Sequence, residues 1–170
     1  GGTTQALELM LGHLQAGKPV ITANKALLAE RWDVLKQYAQ RGQIFFEAAV
    51  MAGTPVITSL TCTLRSSELF ELHAILNGTC NYILTRMEAE GSDFADVLAD
   101  AQALGYAETD PSFDIDGVDA AHKLSILASL AFGTKLDFGA VQISGIRHVL
   151  AGDIAQARAL GFCVRLVGMA

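Results

Sequence analysis

"LELMLGHLQAGKPVITANKALLAERWDVLKQYAQRGQIFFEAAV", residues 7–50, runs one pattern twice. Leu7, Met10, Leu11 and Leu14 fall at i, i+3, i+4 and i+7, one apolar face of a helix. Gly17 closes that helix, and "PVITA" reads as a short buried strand. Leu27, Leu28, Trp32, Leu35 and Tyr38 stripe a second helix, Gly42 closes it, and "QIFFEAAV" reads as the next strand. Two such units, with Gly17 and Gly42 standing 25 residues apart, predict an α/β layer with parallel strands. A doubly wound nucleotide fold would add a first strand and a glycine-rich turn, yet no GxGxxG occurs. Either the fold is another one, or its first half lies upstream. The opening on a helix without an initiator Met favours the second reading, and the ending on an apolar stretch, "CVRLVGMA", fits a piece of a longer chain.

The character changes after Pro55. A linking segment leads to a predicted strand around Leu69–Leu76 and to a helix after Asn77-Gly78, with Thr79 as its cap. A short helix is expected over 93–103. A longer, largely buried one begins at Asp116, with Ala120, Ala121, Leu124, Ile126, Leu127, Leu130 and Ala131 on its apolar side. "VQISGI" reads as extended, 151–160 as a helix and "CVRLVGMA" as a strand. Half of the 170 residues are hydrophobic, which suffices for a sizeable core. The net charge of −6 argues against a nucleic-acid or anionic-membrane surface, both of which call for clustered Lys and Arg. No apolar run approaches the length of a membrane span. Cys62, Cys80 and Cys163 form no CxxC, so reduced thiols and a cytoplasmic setting are expected, without a zinc site.

"GYAETDPSFDIDGVDAAHKL", residues 105–124, gathers Glu108, Asp110, Asp114, Asp116 and Asp119 and ends on Lys123. A calcium loop starting at Ser112 would need a bidentate Glu at its twelfth position, where Lys123 stands. Helix capping accounts for Asp116 as N-cap and for Asp119 near the positive helix end. It leaves Glu108, Asp110 and Asp114, which a solvated loop could carry. Asp119 and Lys123 are i, i+4 and share a helix face among apolar neighbours. They could form a surface ion pair, or Lys123 could be a proton donor among carboxylates that suit an ammonium-bearing substrate. Asn24 and Lys25 follow the carboxyl end of a strand, the edge where open α/β sheets bind ligands. An incidental lysine at a helix start is the bland alternative.

Taken together, "VITANKALLA", "EAAVMAGTPVI", "LNGTCNYILTRM" and "LGYAETDPSFDIDGVDAAHKLSILASLAFG", in this order and spacing, resemble the homoserine dehydrogenases over essentially the whole chain. The resemblance implies an α/β protein: the C-terminal part of a doubly wound dinucleotide-binding domain over 1–55, then an α+β substrate-binding, catalytic and dimerisation domain with a mixed sheet over 56–170. It implies NAD(P)-dependent interconversion of L-aspartate 4-semialdehyde and L-homoserine, on the route to threonine, methionine and isoleucine, by a homodimer or higher homo-oligomer.

Carried over by motif, Lys123 is the acid/base and Lys25 a lysine near nicotinamide and substrate. Glu108, Asp119 and Asp114 are substrate ligands, and Gly105 lies against the cofactor. A sodium-like monovalent cation would sit on Glu47, Val50, Ala52 and Thr54, largely through backbone carbonyls. Cys80 departs from the family, where many relatives carry Thr, and the linking segment "TCTLRSSELFEL" looks short. Without the pyrophosphate-binding turn, the segment alone is expected to be inactive and to bind dinucleotide weakly. The competing class is a non-enzymatic scaffold that dimerises or binds substrate without the cofactor half-site.

Overall fold

The structure, a computed structural model, describes residues 3–170. In chain order the elements are α1 (Thr3–Gln15), β1 (Val20–Ile21), α2 (Lys25–Gln40), β2 (Ile44–Phe45), α3 (Val56–Thr58), β3 (His73–Ala74), α4 (Gly78–Glu90), α5 (Phe94–Ala103), α6 (Ser112–Ile115), α7 (Val118–Phe132), α8 (Ala151–Ala159) and β4 (Gly168–Met169). Two compact units share them. One holds the chain up to Leu72, with His122–Val141 and Ala170; the other holds His73–Ala121 and Gln142–Met169. α7 belongs to both, since its first turn falls in the second unit and the rest in the first.

In the first unit the helix–Gly–strand pattern appears as read. Leu7, Met10 and Leu14 are the buried residues of α1, and Leu27, Leu28 and Leu35 are fully buried on α2. Both helices end on a left-handed glycine, Gly17 at φ 73° and Gly42 at φ 71°. β1 and β2 pair in parallel, Val20 with Ile44 and Ile21 with Phe45. The second strand is shorter than "QIFFEAAV" suggests. Phe46 leaves extended geometry at φ −142°, ψ 28°, and Glu47–Ala49 winds into a 3-10 turn. α2 carries a kink at Arg31 (φ −125°, ψ 24°), which its apolar periodicity does not announce. Ser59–Thr63, part of the linking segment, forms a π-helical turn.

The second unit packs α4, α5 and α8 around Ile83, Leu84, Met87, Val97, Ala101, Ile115, Ile146 and Ile154. Its sheet is a two-residue antiparallel pair, His73 with Met169 and Ala74 with Gly168. The strands expected over 69–76 and in "CVRLVGMA" therefore shrink to that pair, and "VQISGI" forms no strand. Asp116 is not the N-cap of the long helix. It closes the four-residue α6, and left-handed Gly117 (φ 85°) separates it from α7. On α7, Ala120, Ala121, Leu124, Ile126 and Leu127 are buried, while Leu130 and Ala131 are half-buried. No helix among the described residues is long and apolar enough to cross a membrane.

Candidate active site

The acidic run separates into three environments within the second unit. Asp114 and Asp119 meet on Asn77. Its Nδ2 donates to Asp114 Oδ1 at 2.7 Å and to Asp119 Oδ2 at 2.9 Å. Asn77 is also the N-cap of α4, because its Oδ1 accepts the Cys80 N–H at 2.8 Å. Thr79, expected to be that cap, instead places its hydroxyl, with one proton to donate, between Asp114 Oδ2 at 3.1 Å and the Tyr106 carbonyl at 3.0 Å. Asn77 and Asp119 are 4% and 3% exposed, so Asp119 is not a surface acid. Burying carboxylates without polar partners would cost several kcal/mol, on the order of what a lost buried charge pair costs. Hydroxyl and amide donors meet part of that cost here.

Asp116 faces elsewhere. The Arg147 guanidinium grips it through two nitrogens and reaches Ser112 Oγ at 2.8 Å. Arg147 holds the Asp116 carboxyl below the usual carboxylate range, and hydrogen bonds from Ser112 do the same for Asp110. Both groups are exposed, so the clasp shapes the loop more than it stabilises the fold. Glu108 is exposed at the loop's start, with its own carbonyl and that of Thr109 accepting from Gln102 Nε2 at 3.0 and 3.2 Å. Gly105 is exposed too, and a Cβ there would meet nothing within 4 Å.

Cys80 lies under the cluster. Its thiol donates to the Asp114 carbonyl at 3.2 Å. Burial first, then the charges of Asp114, Asp119 and Asp116, pushes that thiol up to about 12. It therefore stays protonated and acts as a packing group and weak donor, not a nucleophile.

The two lysines fall in the first unit. Lys25 is the first residue of α2, past the carboxyl end of β1, and Asn24 caps that helix by accepting the Leu27 N–H at 3.0 Å. Lys123 is half-buried on α7, one turn after Asp119. An open cavity of about 820 Å³ in the same unit is lined by Trp32, Lys36, Leu130, Lys135, Asp137 and Phe138 among others; none of the expected site residues lines it.

In the loop expected to hold a cation, Glu47 has a structural task. Its carboxylate accepts the Ile57 N–H and the Thr58 N–H, each at 2.9 Å, and the Thr58 hydroxyl at 2.6 Å. Met51 is left-handed at φ 52°, and the Thr54 N–H closes a turn on the Met51 carbonyl at 2.8 Å. Among the described residues no group of three or more His, Cys, Asp and Glu is placed to hold a metal ion.

Burial raises the Glu47 pKa, but the hydrogen bonds from Thr58 and Ile57 outweigh it and leave the carboxyl below its ordinary value. Its contribution to stability is thus full above the unfolded value of 4.5 and is lost as pH falls through the lower folded value. Glu47→Gln should cost about 1 kcal/mol at neutral pH and flatten this acid-side loss. Urea midpoints at pH 7 and pH 4 for both proteins check it; identical pH slopes would remove Glu47 from the account.

Two residues of the cluster escaped the sequence reading. Asn77 was legible only as a turn and helix-start signal, and Arg147 carried no signal at all. The fold and the site together define an α/β protein whose acidic loop is organised on a helix N-terminus. Residues 55–170 match the family described as homoserine dehydrogenase, and the chain belongs to that family. It is 47% identical to the homoserine dehydrogenase of Pseudomonas aeruginosa and 45% identical to that of Neisseria gonorrhoeae, over 100% and 99% of its own length. It spans only 40% and 39% of those relatives. Among solved structures, a homoserine dehydrogenase from Thiobacillus denitrificans superposes with a TM-score of 0.96 at 43% identity, covering 100% of this chain and 40% of that one. A hyperthermophilic archaeal homoserine dehydrogenase in complex with NADPH does so with 0.81 at 34% identity, covering 98% and 49%.

Proposed function

We propose that this chain is the substrate side, and part of the cofactor side, of an enzyme that interconverts L-aspartate 4-semialdehyde and L-homoserine with NAD(P), in threonine, methionine and isoleucine biosynthesis. The observation that carries the reading is the pairing of half-buried Asp114 and buried Asp119 on Asn77, inside a chain of this family. A cluster of carboxylates ordered by an amide donor suits the ammonium group of an amino-acid substrate. In this reading Glu108, Asp119 and Asp114 hold that group and orient the carbon chain. Orientation of this kind converts binding into rate. Lys123 donates the proton that the aldehyde oxygen takes up on reduction and removes it in the reverse direction. The nicotinamide, when bound, supplies or accepts the hydride. Lys25 and Gly105 are assigned to its neighbourhood. Homoserine-dependent reduction of NAD(P)⁺ by a full-length protein carrying this segment is the test. Its absence would leave the scaffold reading standing.

The monovalent cation is assigned to Glu47, Val50, Ala52 and Thr54. Carbonyl and hydroxyl oxygens are hard donors that fit such an ion. The Glu47 carboxylate is committed to Thr58 and Ile57, which leaves backbone oxygens as the main ligands. The proposal places the enzyme in the cytoplasm, the setting expected from three cysteines, Cys62, Cys80 and Cys163, that form no CxxC and no even set.

A homodimer or higher homo-oligomer completes the proposal. Most of the apolar residues of α7 are already buried within this chain, so the face assigned to the second copy is the β3/β4 pair. Ile75, Val167 and Met169, 45%, 43% and 62% exposed, lie in and beside those strands. Sedimentation at micromolar concentration should show a dimer or larger assembly that Met169→Glu weakens. A monomer before substitution would refute it.

A further inference from the structure

We propose that Arg147 is a positioning residue of the substrate site, where it braces the turn that carries Asp114; this rests on the homoserine dehydrogenase reading above and deepens it. α6, Ser112–Ile115, is only four residues long. A helix that short does not hold itself in water, because its first turn fixes more backbone than its few hydrogen bonds offset. Its order comes from contacts outside it, and Arg147 supplies them at both ends. Nη2 donates to Ser112 Oγ at 2.8 Å, while Nε donates to Asp116 Oδ1 and Nη2 to Asp116 Oδ2 at 3.1 Å. Ser112 and Asp116 stand two residues before and two after Asp114. The Asp116 N–H closes the turn on the Ser112 carbonyl at 3.0 Å. One planar guanidinium therefore spans the turn on which Asp114 is the middle residue.

The stretch before Arg147 holds it in place. The Ile146 N–H donates to the Ile115 carbonyl at 2.8 Å, and the Ile146 side chain is buried in the core of the unit. A Cβ on Gly145 would run into the backbone of Asp116. One on Gly117, the left-handed joint between α6 and α7, would meet Ile143 Cγ2 at 3.1 Å and the Ser144 carbonyl oxygen at 3.3 Å. The guanidinium thus extends from anchored backbone. The Arg147 and Asp116 side chains are 49% and 43% exposed, so their pairing adds little to global stability. A fork on a carboxylate nevertheless fixes direction as well as distance. Asn77 holds the Asp114 carboxylate, whereas Arg147 holds the backbone from which that side chain hangs. The role is one of geometry: it depends on where Asp114 stands, not on the balance of charge around it.

In a full-length protein carrying this segment, Arg147→Ala should raise the KM for homoserine about threefold to tenfold, as removal of a charge-assisted fork that is half in water would. kcat should stay within about twofold, because the loss falls on ground and transition states alike. The KM for NAD(P)⁺ should not move. Arg147→Lys keeps the charge without the fork and should recover little. Asp116→Asn removes the other end of the clasp. Since Arg147 acts through Asp116, the double variant should be no worse than Arg147→Ala alone. KM does not depend on how much of a preparation is folded, so a poorly folding variant still gives an answer. An unchanged KM for homoserine in Arg147→Ala overturns the proposal, as does full recovery in Arg147→Lys, which would mean that charge alone suffices. Effects that multiply in the double variant overturn it too, because Arg147 would then act independently of Asp116. A wild-type protein inactive on homoserine fails the underlying reading, and the proposal with it, before any variant is made.

Discussion

Lys123→Ala, in a full-length dehydrogenase carrying this segment, should lower kcat by about 10²–10⁴ while leaving folding and the KM for NAD(P)⁺ nearly intact. The expectation rests on position. Lys123 is one turn beyond the buried Asp119 on α7, half-buried, and matches the proton-transfer lysine that the family resemblance implies. A positioned acid that is removed is lost from the transition state more than from the ground state, so the effect should fall on kcat. Glu108→Ala provides the contrast. As an exposed ligand at the rim of the acidic loop, it should raise the KM for homoserine and affect kcat less. If Lys123 only balances the charge of Asp119, the result reverses: thermal stability falls and turnover survives. Steady-state kinetics and thermal midpoints of both variants distinguish these outcomes, and near-normal turnover in Lys123→Ala would end its assignment as the acid/base.

Gly145→Ala should be the most damaging single methyl in the second unit. A Cβ at Gly145 would lie 2.6 Å from Asp116 Cα and 2.9 Å from the Asp116 carbonyl carbon. Backbone, unlike the tip of a flexible side chain, cannot step aside. Two stretches of chain cross here, held by the Ile146 N–H on the Ile115 carbonyl at 2.8 Å. Overpacking a well-filled site costs about 1–3 kcal/mol and sometimes more; at a backbone crossing we expect about 3 kcal/mol. The displacement should also carry Arg147 away from Asp116 and loosen the loop that ends at Asp119. Arg147→Ala is the control. It removes an exposed ion pair to Asp116 and a hydrogen bond to Ser112, and should change the unfolding midpoint far less than Gly145→Ala does. Urea unfolding of the two variants gives the comparison, and equal costs would mean that the crossing is soft.

The division between what was legible and what was not follows the range of the forces involved. Helix periodicity is local, because residues three and four apart share a face. Leu7, Met10 and Leu14, and Leu27, Leu28 and Leu35, therefore announce α1 and α2 and their buried sides before any fold is known. Glycine's tolerance of positive φ is equally local, so Gly17 and Gly42 mark the helix ends. Repetition of the unit implied parallel strands, and β1 and β2 pair in parallel. The motifs carried the family.

Partners that meet across the chain were not legible. Asp116 looked like a helix cap because its neighbours form a helix, yet its partner Arg147 comes 31 residues later. Strand length depends on a neighbour to pair with and on where the backbone turns away, as it does at Phe46, and apolar runs such as "QIFFEAAV" do not record that. By itself the sequence determined the two helix–strand units, the family and the stretch where the acids gather. Tertiary structure alone decided that Asp114 and Asp119 are bound by one amide, that Glu47 is tied to Thr58, and that Gly145 marks a chain crossing. These contacts join residues from 11 to 42 positions apart, and at such separations only packing chooses which polar group meets which.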